Sequence, residues 1–387
     1  MPAMPQFHLI LTLIIFIATY IWLATEKTPR HLVVLCGSTA LLLARILTFR
    51  EAFALVNWNT LALLLGMFVL VETLSGVGIF ERIALGLAQR LETRPMVLFF
   101  ALCAAAGLLS MVVNNITVMI FMTSLTLQIC QHVPLAPVPL ITGEVCCANM
   151  LGAATLIGAP PNLMMAENLG IGFKRVAIHM GPLVTLSTLM FMTVYYFQNR
   201  SHYLASDRNP QALCMSRPPK SSFRGWKQLS LLLEVDFETL IFFMGLFVLV
   251  GALDHVGFFQ MLAHRLAVVQ NPVGLIWGTL WLSATMSALV DNIPMALAMA
   301  YLIKNLTAVS PGSPTGILVW ATLIGLTLGG NMTPIGASPN VVAYSVLEKQ
   351  KVRIGWIRWA RLTVPGTLAA LLTASLLVWA KFRLGWY

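Results

Sequence analysis

The sequence predicts an all-α polytopic membrane protein built from two inverted repeats, each with a re-entrant hairpin and a discontinuous transmembrane helix. Three observations lead there. Hydrophobic residues make up 58% of the 387 positions and charged residues 10%, with a mean hydropathy of +0.83, a composition that cannot cover a water-soluble surface. The second half repeats the first: Thr60-Leu61, Gly66, Phe68 to Val71, Leu74, Val77-Gly78 and Phe80 recur as Thr239-Leu240, Gly245, Phe247 to Val250, Leu253, Val256-Gly257 and Phe259. Two polar interruptions then return in the same order. The stretch from Ser110 to Thr117, with Asn114-Asn115 inside it, matches Ser287 to Pro294 with Asp291-Asn292, and Thr155 to Asn162 matches Thr333 to Asn340. All these matches share an offset of roughly 178 residues, the mark of a duplicated unit in a transporter.

Along the chain, ordinary spans of about 20 residues fall at Phe7 to Leu23, His31 to Phe49, Trp58 to Ser75, Val176 to Phe197, Phe237 to Leu253 and Thr363 to Val378. The first carries no preceding Lys or Arg and no small-residue cleavage site, so it reads as a retained helix. Residues 1–57 form N-terminal scaffold helices, 58–197 the first repeat, 198–236 a linker and 237–387 the second repeat. Met96 to Cys130 and Pro272 to Ile303 are too long for one crossing and polar at their centres, which predicts hairpins over 96–130 and 272–303. Leu140 to Glu167 and Leu318 to Glu348 hold Gly, Pro and Asn at mid-depth, which predicts broken helices over 140–167 and 318–348. Glu81 to Arg94 and Asp254 to Gln270 mix charged and apolar residues as interfacial helices do.

The formal charge is +10, but the basic residues lie in short connections and form no basic-aromatic patch, so the anionic inner leaflet is their partner and nucleic acid is not. Arg200, Arg208, Arg217, Lys220, Arg224 and Lys227 place the linker in the cytoplasm. Hairpins that return to the side they entered leave three crossings per half, so the second unit starts on the opposite side. That arrangement also brings Lys27, Arg30, Arg82, Arg90, Arg94, Lys349, Lys351, Arg353, Arg358 and Arg361 inside. The cysteines Cys36, Cys103, Cys130, Cys146, Cys147 and Cys214 show no CxxC spacing, so neither a disulfide framework nor a metal site is expected.

Backbone groups freed at a helix break cost several kcal/mol each in hydrocarbon unless something satisfies them. Four duplicated breaks therefore imply a polar cavity with two arms from each repeat. Half-helix N-termini suit an anion, and unwound carbonyls with Asn or Thr oxygens suit a dehydrated cation. The plainer alternative is that Gly, Pro and Asn only kink packed helices. Asp291 stands out because an acid facing lipid would cost about 2.5 to 3.5 kcal/mol, and its counterpart is the neutral Asn114. It is expected to couple transport to a proton or sodium, or simply to cap the following half-helix. Glu144 and Glu167 flank the first broken helix; near a membrane face they read as solvated, and they stand as second choices after Asp291 for a coupling role, Glu144 first. Cys146-Cys147 project about 100° apart on a helix and read as packing residues, and His179 as interfacial.

Gly152 to Asn162, Val290 to Pro294 and Gly329 to Asn340 resemble the signatures of the ion transporter superfamily, in its branch of arsenite permeases, melanosomal P proteins and citrate-transporter-like carriers. The resemblance runs from Trp58 onward. It implies an inverted-repeat fold, a homodimer, and elevator-like movement of a transport domain against a scaffold. By motif, the hairpin-tip residues Asn114, Asn115, Thr117, Asp291 and Asn292, and the broken-helix residues Thr155, Gly158, Asn162, Thr333, Gly336, Ser338 and Asn340, resemble the ion and substrate arms of relatives. The tips do not reproduce the Ser-Asn-Thr carboxylate motif of dicarboxylate carriers, which turns the expectation toward an inorganic substrate.

The combined expectation is a secondary active transporter of the plasma (inner) membrane without cofactor. Its leading case is arsenite or antimonite efflux in exchange for protons. A sodium/proton antiporter and an anion symporter (dicarboxylate, sulfate or phosphate) are the alternatives, and an ion channel is the alternative from another class. No phosphate-loop motif is present, so hydrolysis of ATP would need an accessory ATPase. No nucleophile-base-orienter set marks an enzyme.

Overall fold

A computed structural model describes residues 6–25, 28–62, 64–66, 69, 95–132, 136–204, 237–269, 271–310, 314–349, 352 and 354–387. Among them the chain forms fifteen complete α-helices, one 3-10 turn and no strand. Five of these helices are long and apolar enough to cross a bilayer.

Helices α1 (Gln6–Ala24) and α2 (Arg30–Leu43) pack on each other, and α2 also packs on α9 (Phe237–His255). There Ser38 Oγ donates to Gly245 O at 3.1 Å. The span expected to reach Phe49 stops at Leu43. Arg45 takes a left-handed φ of 55°, and α3 (Phe49–Leu55) starts afresh from a capping box between Thr48 and Glu51, a T-x-x-E signal that local capping favours over continuation. Helical turns cover 58–62 and 64–66 of the next predicted span. Apart from Val69, the remainder of that span and Glu81 to Arg94 lie outside the described residues.

The first predicted hairpin is α4 (Pro95–Ser110) and α5 (Asn115–His132); the second is α11 (Pro272–Leu289) and α12 (Asn292–Val309). The broken helices are α6 (Pro137–Gly152) with α7 (Pro160–Leu169), and α13 (Thr315–Gly329), a 3-10 turn (Gly330–Met332) and α14 (Ser338–Lys349). Each half ends in a long helix, α8 (Phe173–Leu204) and α15 (Trp356–Arg383), and α10 (Phe258–Ala267) is the amphipathic helix expected between Asp254 and Gln270. Helix α8 runs seven residues beyond the expected boundary at 197, and residues 205–236 of the linker lie outside the described residues.

Contacts give the directions. Helix α4 runs parallel to α6, since Phe99 and Cys103 meet Gly143 while Leu151 meets Gly107. Helix α5 runs antiparallel to α6, with Asn115 bonded to Asn149 and Thr126 to Glu144. The chain therefore doubles back at the first tip. Helix α11 is likewise parallel to α13, Leu280 facing Gly325 and Ala284 facing Gly329. The second arms cross between halves: α12 packs on α7, and α14 on α5. Helices α8 and α15 run antiparallel, with Lys381 at His179 and, at the other end, Gln198 donating to Arg361 O at 2.7 Å. The equivalent long helices of the two halves thus point in opposite directions.

Candidate functional site

The breaks are held the same way in both halves. Thr155 Oγ1 donates to Met111 O at 2.7 Å, and Thr333 Oγ1 to Ala288 O at 2.6 Å, tying each break to the carbonyl just before the hairpin tip of its own half. Asn162 donates its amide to Ala153 O at 2.6 Å and Thr155 O at 2.9 Å. Asn340 does the same to Gly330 O and Thr333 O, both at 2.8 Å. These amides satisfy the carbonyls that unwinding frees. A Cβ on Gly158 would collide with the carbonyls of Ser110 and Gly152, and one on Gly336 with those of Ser287 and Gly330. Glycine is required because backbone meets backbone there.

The tips also match. Asn114 Oδ1 accepts from Ile116 N at 3.0 Å and Asp291 Oδ1 from Ile293 N at 3.2 Å, so each caps the following half-helix. Asn114, Asn115, Asp291 and Asn292 are buried, and Thr117 is half-buried. Capping and function coexist at Asp291, whose second oxygen is engaged elsewhere.

That second oxygen breaks the symmetry. Asp291 Oδ2 accepts from Ser338 Oγ at 2.8 Å and pairs with Arg30 Nη1 at 3.1 Å; the same guanidinium nitrogen lies 3.5 Å from Ser338 Oγ. In the first half Asn114 replaces the acid and Pro160 the serine. The cluster borders a cavity of about 50 Å³ with Tyr20, Leu23, Leu289, Val290 and Ile335. Arg30 comes from α2, outside both repeats. Sequence reasoning placed it among the loop charges, and its position at the edge of an apolar run was the available signal.

A second network lies between the broken helices. Asn149 Nδ2 donates to Asn331 Oδ1 and to Asn340 Oδ1, both at 2.8 Å, and Asn115 Nδ2 donates to Asn149 Oδ1 at 3.3 Å. Trp359 Nε1 closes on Asn331 O at 3.1 Å. Asn149 and Asn331 escaped the sequence reading because their counterparts in the other half are Thr327 and Ala153, so the repeat did not flag them. One expectation is corrected: Glu144 is fully enclosed, with Thr126 Oγ1 donating to its Oε1 at 2.6 Å, because α4, α5 and α8 all pack on α6. Glu167 stays half-buried. Cys146 and Cys147 are enclosed in α6. His179 is buried as well, stacked on Trp320 with Lys381 Nζ 2.8 Å from its Nδ1.

Paired helix breaks, capped tips and an interior cluster with a single acid, in a chain with several membrane-length helices, define a multi-pass membrane transporter. Comparison with known proteins supplies the family. The citrate transporter family (CitMHS) matches residues 20–325, more than half of the chain, and the chain belongs to that family, within the ion transporter superfamily. An uncharacterized transporter of Mycobacterium bovis is 28% identical over 419 residues, covering 95% of this chain and 97% of the relative. The P protein of Mus musculus is 25% identical over 501 residues, covering 96% of this chain and 60% of that protein. Among solved structures, the YdaH transporter of Alcanivorax borkumensis aligns at a TM-score of 0.49 and 15% identity, over 82% of this chain and 85% of that one.

Proposed function

We propose that the protein is a proton-coupled secondary transporter of a small anion, with Asp291 as the coupling residue and Arg30 as the cation that the anion meets. The observation that carries this reading is the Arg30–Asp291–Ser338 cluster at the second hairpin tip. A guanidinium beside a carboxylate makes proton and anion interdependent: while Asp291 is ionised it pairs with Arg30, and its protonation weakens that pair and lets an anion compete for the guanidinium. The cavity of about 50 Å³ has room for a few waters but not for a polyatomic anion, so loading involves movement of the tip. Elevator-like displacement of the hairpins and broken helices against α1, α2 and α9, in an inverted-repeat homodimer of the plasma membrane, is the motion in keeping with the family.

Of the substrate classes the sequence left open, Arg30 favours an anion over a neutral arsenic or antimony hydroxide, and the enclosed Cys146 and Cys147 present no thiol pair to a metalloid. Citrate, the substrate that gives the family its description, is the first candidate, ahead of phosphate and sulfate. The test is uptake by proteoliposomes under an imposed pH gradient, with citrate, phosphate, sulfate, arsenite and antimonite offered in turn. One of the three anions is expected to accumulate in wild type, and Asp291→Asn to exchange it without gradient-driven accumulation. Arsenite transport alone, or uphill transport by Asp291→Asn at the wild-type rate, would overturn the reading.

A further inference from the structure

Glu144 is the second enclosed carboxyl among the described residues, and the tip site makes no use of it. Its side chain is 0% exposed. Oε1 accepts from Thr126 Oγ1 at 2.6 Å, and Oε2 has no hydrogen-bond partner among the described residues. The ion pairs of the described residues, Arg30–Asp291 and His31–Glu238, do not include it. The titratable groups that neighbour it are thiols, Cys130 from α5 and Cys103 from α4, while Cys146 and Cys147 on its own helix lie toward Cys103. Tyr195 of α8 is bonded to Thr142, two residues earlier on α6, and to Pro139 O. The 3-10 turn and α14 meet α6 at Asn149 and through Asn331 Nδ2 on Cys146 O, and α13 and α15 also pack on it. Among the described residues no cation pairs with Glu144.

We propose that Glu144 is a second proton-binding site, separate from Asp291, that loads and releases a proton as the α5–α6 contact closes and opens. An ionised carboxylate with one hydrogen bond and no cation in a dry interior is several kcal/mol too costly, so the closed form holds the proton. Thr126 donates to Oε1, which places that proton on Oε2. When α5 parts from α6, the Oε2–H bond breaks, the proton passes to entering water, and the carboxylate is left hydrated. The opposite half shows that the fold has no need of an acid here: the equivalent residue is Thr322, also 0% exposed and with its hydroxyl unpartnered. A structural role is met by a neutral side chain, whereas a proton carrier is not.

Infrared difference spectroscopy on the purified protein in lipid nanodiscs tests this without any substrate. Alternating mildly alkaline and mildly acidic buffer should reversibly produce a protonated-carboxyl stretching band in wild type. Glu144→Gln should lose that band, Asp291→Asn should keep it, and Thr126→Val should shift its titration midpoint. Absence of a titrating band in wild type, or a Glu144→Gln spectrum equal to wild type, would overturn the proposal whether or not Glu144→Gln folds well enough for transport. A second arm rests on the anion-transport reading and uses citrate as probe in proteoliposomes. There Glu144→Gln should exchange citrate yet lose the pH dependence of uptake, and an unchanged pH profile would overturn the coupling role. Failure of wild type to carry citrate would sink the substrate assignment alone, because the infrared arm still decides the proton site.

Discussion

The Arg30–Asp291 pair lends itself to a double-mutant cycle, since each partner can be neutralised at nearly constant shape. Side-chain exposure is 31% for Arg30 and 7% for Asp291, which places the pair between two known limits. Exposed pairs contribute about 0 to 1 kcal/mol, and removal of one partner from a fully buried pair costs about 3 to 5 kcal/mol. With one member a third exposed and the acid also held by Ser338 and Ile293, an interaction of about 2 kcal/mol is expected, roughly a thirtyfold change in an equilibrium constant. Arg30→Met should leave Asp291 without its cation, and Asp291→Asn should leave a guanidinium against the tip. The double variant removes both defects, so its loss should fall short of the summed single losses by that amount. Reversible unfolding of the purified protein in mixed micelles gives the three free energies. Additivity within about 0.5 kcal/mol would refute the pairing and with it the link between proton and anion.

Three further outcomes follow from the packing. Gly336→Ala should destabilise by about 1 to 3 kcal/mol, because its Cβ would meet the carbonyls of Ser287 and Gly330; Gly172→Ala, where a Cβ meets nothing, is the control, and equal thermal midpoints would contradict the close approach. Asn149→Leu should lower the unfolding midpoint more than Asn115→Leu, since it strips both Asn331 and Asn340 of a donor and each unpaired oxygen costs about 1 to 3 kcal/mol. Lys381→Leu should weaken the contact between α8 and α15 by about 1 to 3 kcal/mol through loss of its bonds to His179, while Lys381→Gln, imitating Gln198 at the opposite end, should recover part of that loss in the same measurement.

The sequence revealed the helix breaks because they are duplicated: Thr155 and Thr333, Gly158 and Gly336, Asn162 and Asn340 hold equivalent bonds or contacts in the two halves. It did not reveal Arg30 or Asn149, nor that Glu144 is enclosed. The first lies outside the repeat, and the other two face Thr327 and Thr322 across it, so comparison of halves gave no signal. Burial of Glu144 is decided by three neighbouring helices, and nothing in its local run of residues distinguishes that from a position near a membrane face.

What the halves share and what they do not have different physical origins. A broken helix inside a membrane has the same unmet carbonyls in either half, so the residues that satisfy them recur. Chemistry with a direction has the opposite requirement. A site with identical acids on both pseudo-symmetric tips would place two carboxylates in one interior, where like charges oppose each other's ionisation. Here the first half has Asn114 and Pro160 at the equivalent positions, and the other tip carries Asp291 with Ser338 and a counter-charge from α2. Glu144 against Thr322 follows the same rule. Each titratable group stands where the other half is neutral, and these departures from symmetry are where a proton can be distinguished from the scaffold that moves it. Exchanging the tips, with Asn114→Asp and Asp291→Asn together, therefore restores the number of acids but not Arg30 or Ser338 beside them, and gradient-driven uptake should stay lost. Recovery of that uptake in the exchanged protein would mean that the acid alone, without its partners, suffices for coupling.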